Sequence, residues 1–125
     1  MKYYDKIRQL YMQIEDNENR RICLAHHQRV LDEIETIMKL HNIDDENYRI
    51  AAYMHDIALY TGKPFNHAEN SAIMSENYLR MWGCEEKDIQ IITKMIRRHS
   101  DKKHMHDFED ECLKQADIKA KQIDF

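Results

Sequence analysis

Glycine occurs twice and proline once in 125 residues. A sheet-rich fold spends both residues on its turns, so their scarcity excludes an all-β architecture and leaves helices largely uninterrupted. Runs of like charge are missing as well. Acids and bases interleave to a net charge of -4, with no basic block. This speaks against nucleic acid as a partner, because affinity for a phosphate backbone needs clustered Lys and Arg. No apolar run approaches the length that crosses a bilayer, so no membrane role is expected. The opening stretch MKYYDKIRQLYMQIEDNENR is charged throughout and does not read as a secretory leader. The three cysteines, Cys23, Cys84 and Cys112, are odd in number and form no C-x-x-C pair. They read as reduced thiols of a cytoplasmic protein.

What is there is helical periodicity. Ile7, Leu10, Tyr11 and Ile14 share one face of a helix over residues 2–15. The polar run DNENRR (16–21) breaks it, and a long helix follows over 20–40 with Ile22, Val30, Ile34 and Ile37 as its stripe. Asp44 is placed to cap a third helix that runs through RIAAYMHDIALY (49–60) and ends at Gly62 and Pro64. Asn66 caps a fourth, with Glu69 as a weak capping box, and Gly83 stops it after Trp82. A fifth spans 85–99 and a sixth 108–121. Residues 1–125 therefore read as a single all-α domain, a compact bundle of about six helices. Met74, Tyr78, Met81 and Trp82 on the fourth helix serve either the core or a homodimer face.

Eight histidines are the compositional oddity. His55 and Asp56 sit side by side in the most apolar helix of the chain, and adjacent helical positions point roughly 100° apart, so both cannot face solvent. A buried carboxylate without a partner costs several kcal/mol, about the scale of an ion moved out of water, which leaves a buried His–Asp or Asp–Arg pair or a metal as explanations. Other helices repeat the pattern. Asp117 shares a face with Leu113, Ala116 and Ala120, and His99 continues the stripe Ile92–Met95–Ile96. His26 lies four residues from both Ile22 and Val30, while His27 fits equally well between Cys23 and Leu31, so periodicity does not choose between them. His67 opens the fourth helix. Several helices each aiming one His or Asp inward are best explained by a shared ion, with imidazole and carboxylate suiting Fe, Mn, Co or Zn.

The segments AHHQRVLDE (25–33), AAYMHDIA (51–58), HAENSA (67–72), IITKMIRRH (91–99) and QADIKA (115–120) together resemble the HD-domain superfamily of metal-dependent phosphohydrolases. The family's His followed by an apolar residue four positions on matches His26 and Val30, which favours His26 over His27. Its doublet matches His55-Asp56 and its final Asp matches Asp117. The resemblance implies one divalent transition metal on His26, His55, Asp56 and Asp117. It implies a second on His67 and His99 with Asp56 bridging, or a single ion if the four-ligand site acts alone.

It further implies hydrolysis of a phosphoester or phosphoanhydride in a small, nucleotide-type substrate by water activated at the metal. Asp56, Lys63 and Arg98 are the catalytic candidates, with Arg97 and Arg29 as further basic groups. The doublet continues as HDIAL where many two-metal phosphodiesterases have HDxGK, which speaks against the cyclic-dinucleotide branch. A non-catalytic nucleotide sensor and di-iron oxygen chemistry on the same ligands are the alternative functions. The second doublet, His106-Asp107, sits with His104 in a polar segment and reads as structural, Asp107 being an N-cap. His41 reads as a complement to a helix dipole.

Overall fold

The computed structural model describes residues 1–123, with no strand among them. Seven helices follow one another: α1 (Tyr4–Met12), α2 (Asn17–Leu40), α3 (Glu46–Met54), α4 (Ile57–Tyr60), α5 (His67–Met81), α6 (Glu86–Arg98) and α7 (Phe108–Ile123). The 24-residue α2 is the spine, roughly 36 Å long. It packs along α3 and α7, α3 also meets α6, and α5 pairs with α6 while holding α4. The core between these layers contains Ile7, Tyr11, Val30, Ile34, Met54, Leu79, Ile92, Met95 and Leu113. None of the described helices is long and apolar enough to cross a membrane.

The first helix ends at Met12, before the polar run, and that run begins α2 rather than separating the two helices. Asp16 is the N-cap, accepting from Asn19 N–H at 2.8 Å, and Asn17 to Arg20 form the first turn. The buried stripe of α2 is Cys23, His26, His27, Val30, Leu31, Ile34 and Met38, which leaves Ile22 exposed. Its expected stripe was therefore one position out at the N-terminal end. Asp45, not Asp44, caps α3 by accepting from Asn47 N–H at 2.8 Å, while Asp44 pairs with Arg49 at 2.7 Å. Asn66 stands at the N-cap of α5 with φ 55°, a left-handed conformation, and its side chain makes no cap bond. Glu69 turns instead to Arg97 of α6, 2.8 Å away. Met74, Tyr78 and Trp82 pack against the core, whereas Met81 is exposed.

The largest departure concerns the doublet. In place of one helix through 49–60, α3 ends at Met54 and α4 restarts at Ile57. His55 keeps helical angles but Asp56, at φ -118° and ψ 23°, does not. This break solves the geometric problem posed by adjacent positions. With the chain turned at Asp56, its Oδ2 comes within 3.1 Å of His55 Nε2. Neighbouring groups satisfy the interrupted backbone: Tyr11 hydroxyl donates to Tyr53 carbonyl, His55 Nδ1 meets Ala52 carbonyl at 2.8 Å, and Ala58 N–H donates to buried Ser71 Oγ at 3.0 Å.

Candidate metal centre

Five elements meet at the doublet. His26 comes from the middle of α2, His55 and Asp56 from the α3–α4 break, His67 from the first position of α5, His99 from the end of α6 and Asp117 from α7. All but His67 are buried. His55 and His99 are set by the same local device. Each is the C-cap of its helix, and its Nδ1 lies 2.8 Å or 2.5 Å from the carbonyl three residues earlier. That bond keeps a proton on Nδ1, so that Nε2, aimed inward, is the nitrogen able to offer a lone pair to a cation once it carries no proton itself.

His26 Nε2 lies 3.2 Å from His55 Nε2, 3.5 Å from Asp56 Oδ2 and 3.4 Å from Asp117 Oδ1. His55 Nε2 lies 3.1 Å from Asp56 Oδ2 and 3.3 Å from Asp117 Oδ1. Four electron-rich atoms thus surround one point, an arrangement that repels itself unless protons or a cation occupy the centre. The spacings fit a cation. Donors at about 2.0–2.1 Å from one ion stand about 2.9 Å apart in an octahedron and about 3.4 Å apart in a tetrahedron.

A second group shares Asp56. Its other oxygen, Oδ1, lies 3.0 Å from His99 Nε2 and 3.5 Å from His67 Nε2. One carboxylate therefore turns one oxygen to each donor set, as a bridge between two cations requires. The second set has only three donors, and the His67 side chain is 35% exposed, so its remaining positions open toward solvent.

The charges are coupled. Burial opposes a charged His55, but Asp56 and Asp117 outweigh it and lift the imidazole to about 10. His26 is likewise lowered by burial but raised overall by Asp117 and Asp56. Burial pushes Asp56 and Asp117 up, yet the surrounding imidazoles hold both well below the usual carboxylate range. Burial wins at His99 and lowers it, despite Asp56.

A family model of the HD domain matches residues 15–121. The chain belongs to the HD-domain family. The crystal structure of a "predicted HD superfamily hydrolase" from an uncultured Thermotogales bacterium has the same fold, with a TM-score of 0.77 at 21% identity over 93% of this chain and 67% of that one. No curated protein matches.

Within this HD domain the structure brings His26, His55, Asp56 and Asp117 together as one group and Asp56, His67 and His99 as the other. It also separates His26 from His27. His27 is buried behind the site, its Nδ1 2.8 Å from Cys23 carbonyl and its ring 4.5 Å from that of Tyr11. Burial drives it well below the ordinary imidazole value, so it is neutral.

The basic candidates divide. Lys63 is exposed on the loop leading to His67, its N–H bonded to Ala58 carbonyl at 3.1 Å. Arg29 is half-buried one turn beyond His26. Arg97 is engaged with Glu69. Arg98 binds buried Asp110 at 2.9 Å and approaches Asp107 at 3.5 Å, so its guanidinium ties α6 to α7 and is not turned to the ligands. Two lysines that the sequence did not single out stand closer. Lys102 Nζ lies 3.5 Å, and Lys121 Nζ 3.2 Å, from Asp117 Oδ2. Lys121 could have been found from its i+4 spacing to Asp117; Lys102, in a polar loop, carried no such periodic signal.

The second doublet does not join either donor group. Asp107 faces Lys94 at 2.8 Å, its N–H reaches Asp110 Oδ2 at 3.2 Å, and its carbonyl accepts the first bond of α7 from Glu111 N–H at 3.0 Å. His106 Nδ1 lies 2.7 Å from Lys114 Nζ. His41 is the C-cap of α2, edge-on to the Phe108 ring.

Proposed function

We propose that this HD domain is a metal-dependent phosphohydrolase acting on a phosphoester or phosphoanhydride of a small, nucleotide-type substrate. In this reading it carries two divalent transition-metal ions, Fe, Mn, Co or Zn. The observation that carries the reading is the Asp56 carboxylate, buried and shared by two donor sets with one oxygen for each. His26, His55, Asp56 and Asp117 would hold one ion, and Asp56, His67 and His99 the other. A bound divalent pair supplies Lewis acidity toward a phosphoryl oxygen and makes water a competent nucleophile near neutral pH.

The protein's own part is orientation, charge and exclusion of solvent. Carbonyls of Ala52 and Ile96 lock two imidazoles with Nε2 inward. Burial of five of the six ligands restricts entry to the His67 side. Lys102 and Lys121 set positive charge beside Asp117, where a phosphoryl group gains negative charge in the transition state. Arg98 drops out of this role because Asp110 holds it.

The test is phosphate release from p-nitrophenyl phosphate, bis-p-nitrophenyl phosphate, nucleoside mono- and triphosphates and dinucleoside polyphosphates. The protein is first stripped of metal, then supplied with Mn or Fe. Turnover that needs the metal and disappears in Asp56→Asn supports the proposal. Metal uptake without hydrolysis of any of these would favour a sensor, and oxygen consumption without phosphate release would favour di-iron oxygen chemistry.

A further inference from the structure

The segment joining α6 to α7 is polar and mostly exposed, yet side chains tie it at several points. The Asp101 carboxylate accepts from the N–H groups of Lys103 at 3.1 Å and His104 at 3.3 Å, and meets His104 Nδ1 at 3.0 Å. From below, Lys114 of α7 anchors it. This lysine is only 4% exposed. Its ammonium donates to His104 carbonyl at 2.8 Å and to Glu111 Oε2 at 2.6 Å, and lies 2.7 Å from His106 Nδ1. Glu111 Oε2 in turn accepts His106 N–H at 2.9 Å. A buried ammonium has three donors, and here each finds an acceptor in the loop or beside it.

Such a network has a consequence for Lys102, whose side chain turns toward the ligands. Its Nζ donates to the carbonyl of His99 at 2.5 Å and stands 3.5 Å from Asp117 Oδ2. His99 belongs to one donor set and Asp117 to the other, so this ammonium touches a member of each, His99 through its backbone carbonyl. Its side chain is 37% exposed, at the boundary between the buried ligands and solvent. With one donor on His99 carbonyl and one toward Asp117, it has a third for an incoming anion, and a second once Asp117 is released. Lys121, one turn along α7 and 3.2 Å from the same Asp117 Oδ2, is 55% exposed and can hold that carboxylate when Lys102 turns to substrate.

We propose that Lys102 grips the phosphoryl group of the substrate and that buried Lys114 is a positioning residue acting through it. The proposal rests on the phosphohydrolase reading above and adds to it the class of group recognised. A lysine is a point charge with rotatable donors, suited to a compact tetrahedral dianion such as a terminal phosphate.

The experiment is calorimetric titration of inorganic phosphate into manganese-loaded protein, with manganese content measured on the same samples. Wild type should bind phosphate. Lys102→Gln should keep its manganese and bind phosphate about tenfold more weakly or worse, the loss expected for one charge-assisted hydrogen bond. Lys102→Arg should recover part of the affinity. Lys114→Met should also weaken phosphate binding, yet add nothing in the Lys102→Gln background, a non-additivity that a merely structural role would not produce. Asp101→Ala loosens the same loop from its solvent side and should act in the same direction, which keeps the positioning claim testable if Lys114→Met does not fold. Unaltered phosphate affinity in Lys102→Gln would overturn the proposal while leaving the metal centre standing. Additive losses in the double variant would remove Lys114 from it. Wild type that takes up neither manganese nor, on the same protein, Fe, Co or Zn would instead sink the phosphohydrolase reading itself.

Discussion

Replacing Asp56 by Asn keeps the shape of the side chain and removes its charge. In the metal-free protein that charge is within 3.0–3.5 Å of four imidazole Nε2 atoms, those of His99, His55, His26 and His67. Burial would depress His55, and it is Asp56, with Asp117, that keeps it charged to about 10. Removing one partner of such a buried cluster costs about 3–5 kcal/mol. Unfolding entropy of about 2.1 cal/mol/K per residue amounts to about 0.26 kcal/mol/K for a chain of this size, so the melting temperature should fall by about 10–20 °C. The assay is scanning calorimetry of wild type and Asp56→Asn in excess chelator at pH 7, repeated after adding Mn. Wild type should gain stability with Mn and the variant should not, because Asp56 serves both donor sets. A variant within about 2 °C of wild type in chelator, the range of an ordinary surface substitution, would refute the claim that Asp56 is the electrostatic centre of the cluster.

Other perturbations separate the parts. His67→Ala should keep one ion per chain and Asp117→Asn should lose the ion of the four-donor set, measured as metal content after gel filtration. Because His26 and His55 are raised in the absence of metal, uptake must expel protons. Calorimetry in buffers of different ionisation enthalpy should show proton release at pH 7, and affinity should climb as pH rises toward 10. The stability of the chelated protein runs the opposite way with pH. The His55 contribution is fully present below about pH 6.5, the unfolded imidazole value, and is lost as pH rises through the folded value. Metal-loaded protein should not show that decline. Tyr11→Phe should cost about 1–2 kcal/mol by leaving the Tyr53 carbonyl without its buried donor, with metal content unchanged.

The helices of this domain were legible because their apolar spacing is regular. α6 and α7 fall within two residues of expectation, since Ile89, Ile92, Met95, Ile96, Leu113, Ala116 and Ala120 mark one buried face each. The six side chains that converge at the doublet were singled out for the complementary reason, five of them being ionisable residues in buried positions. Details set by tertiary partners were not. Whether Asp44 or Asp45 caps α3 depends on Arg49, which takes Asp44. Ile22 falls outside the core because the face of α2 that meets α3 and α7 passes through Cys23, His26 and His27 instead. The break at Asp56 has no Gly or Pro to announce it. It exists because one point must be reached from two consecutive residues, and the alternative hydrogen-bond partners that allow it, Tyr11 and Ser71, come from distant helices. Lys102 escaped for a similar reason, as it lies in a polar loop tied by Asp101 and by Lys114 of α7, partners that no periodic spacing marks.

The most direct test of the buried shared carboxylate is elemental analysis of untagged protein purified anaerobically without chelators. The account predicts close to two transition-metal ions per chain in wild type and none in Asp56→Asn. Wild type that carries no metal and takes up none when Mn, Fe, Co or Zn is added would contradict it, and would leave the six converging side chains as a proton-sharing structural cluster.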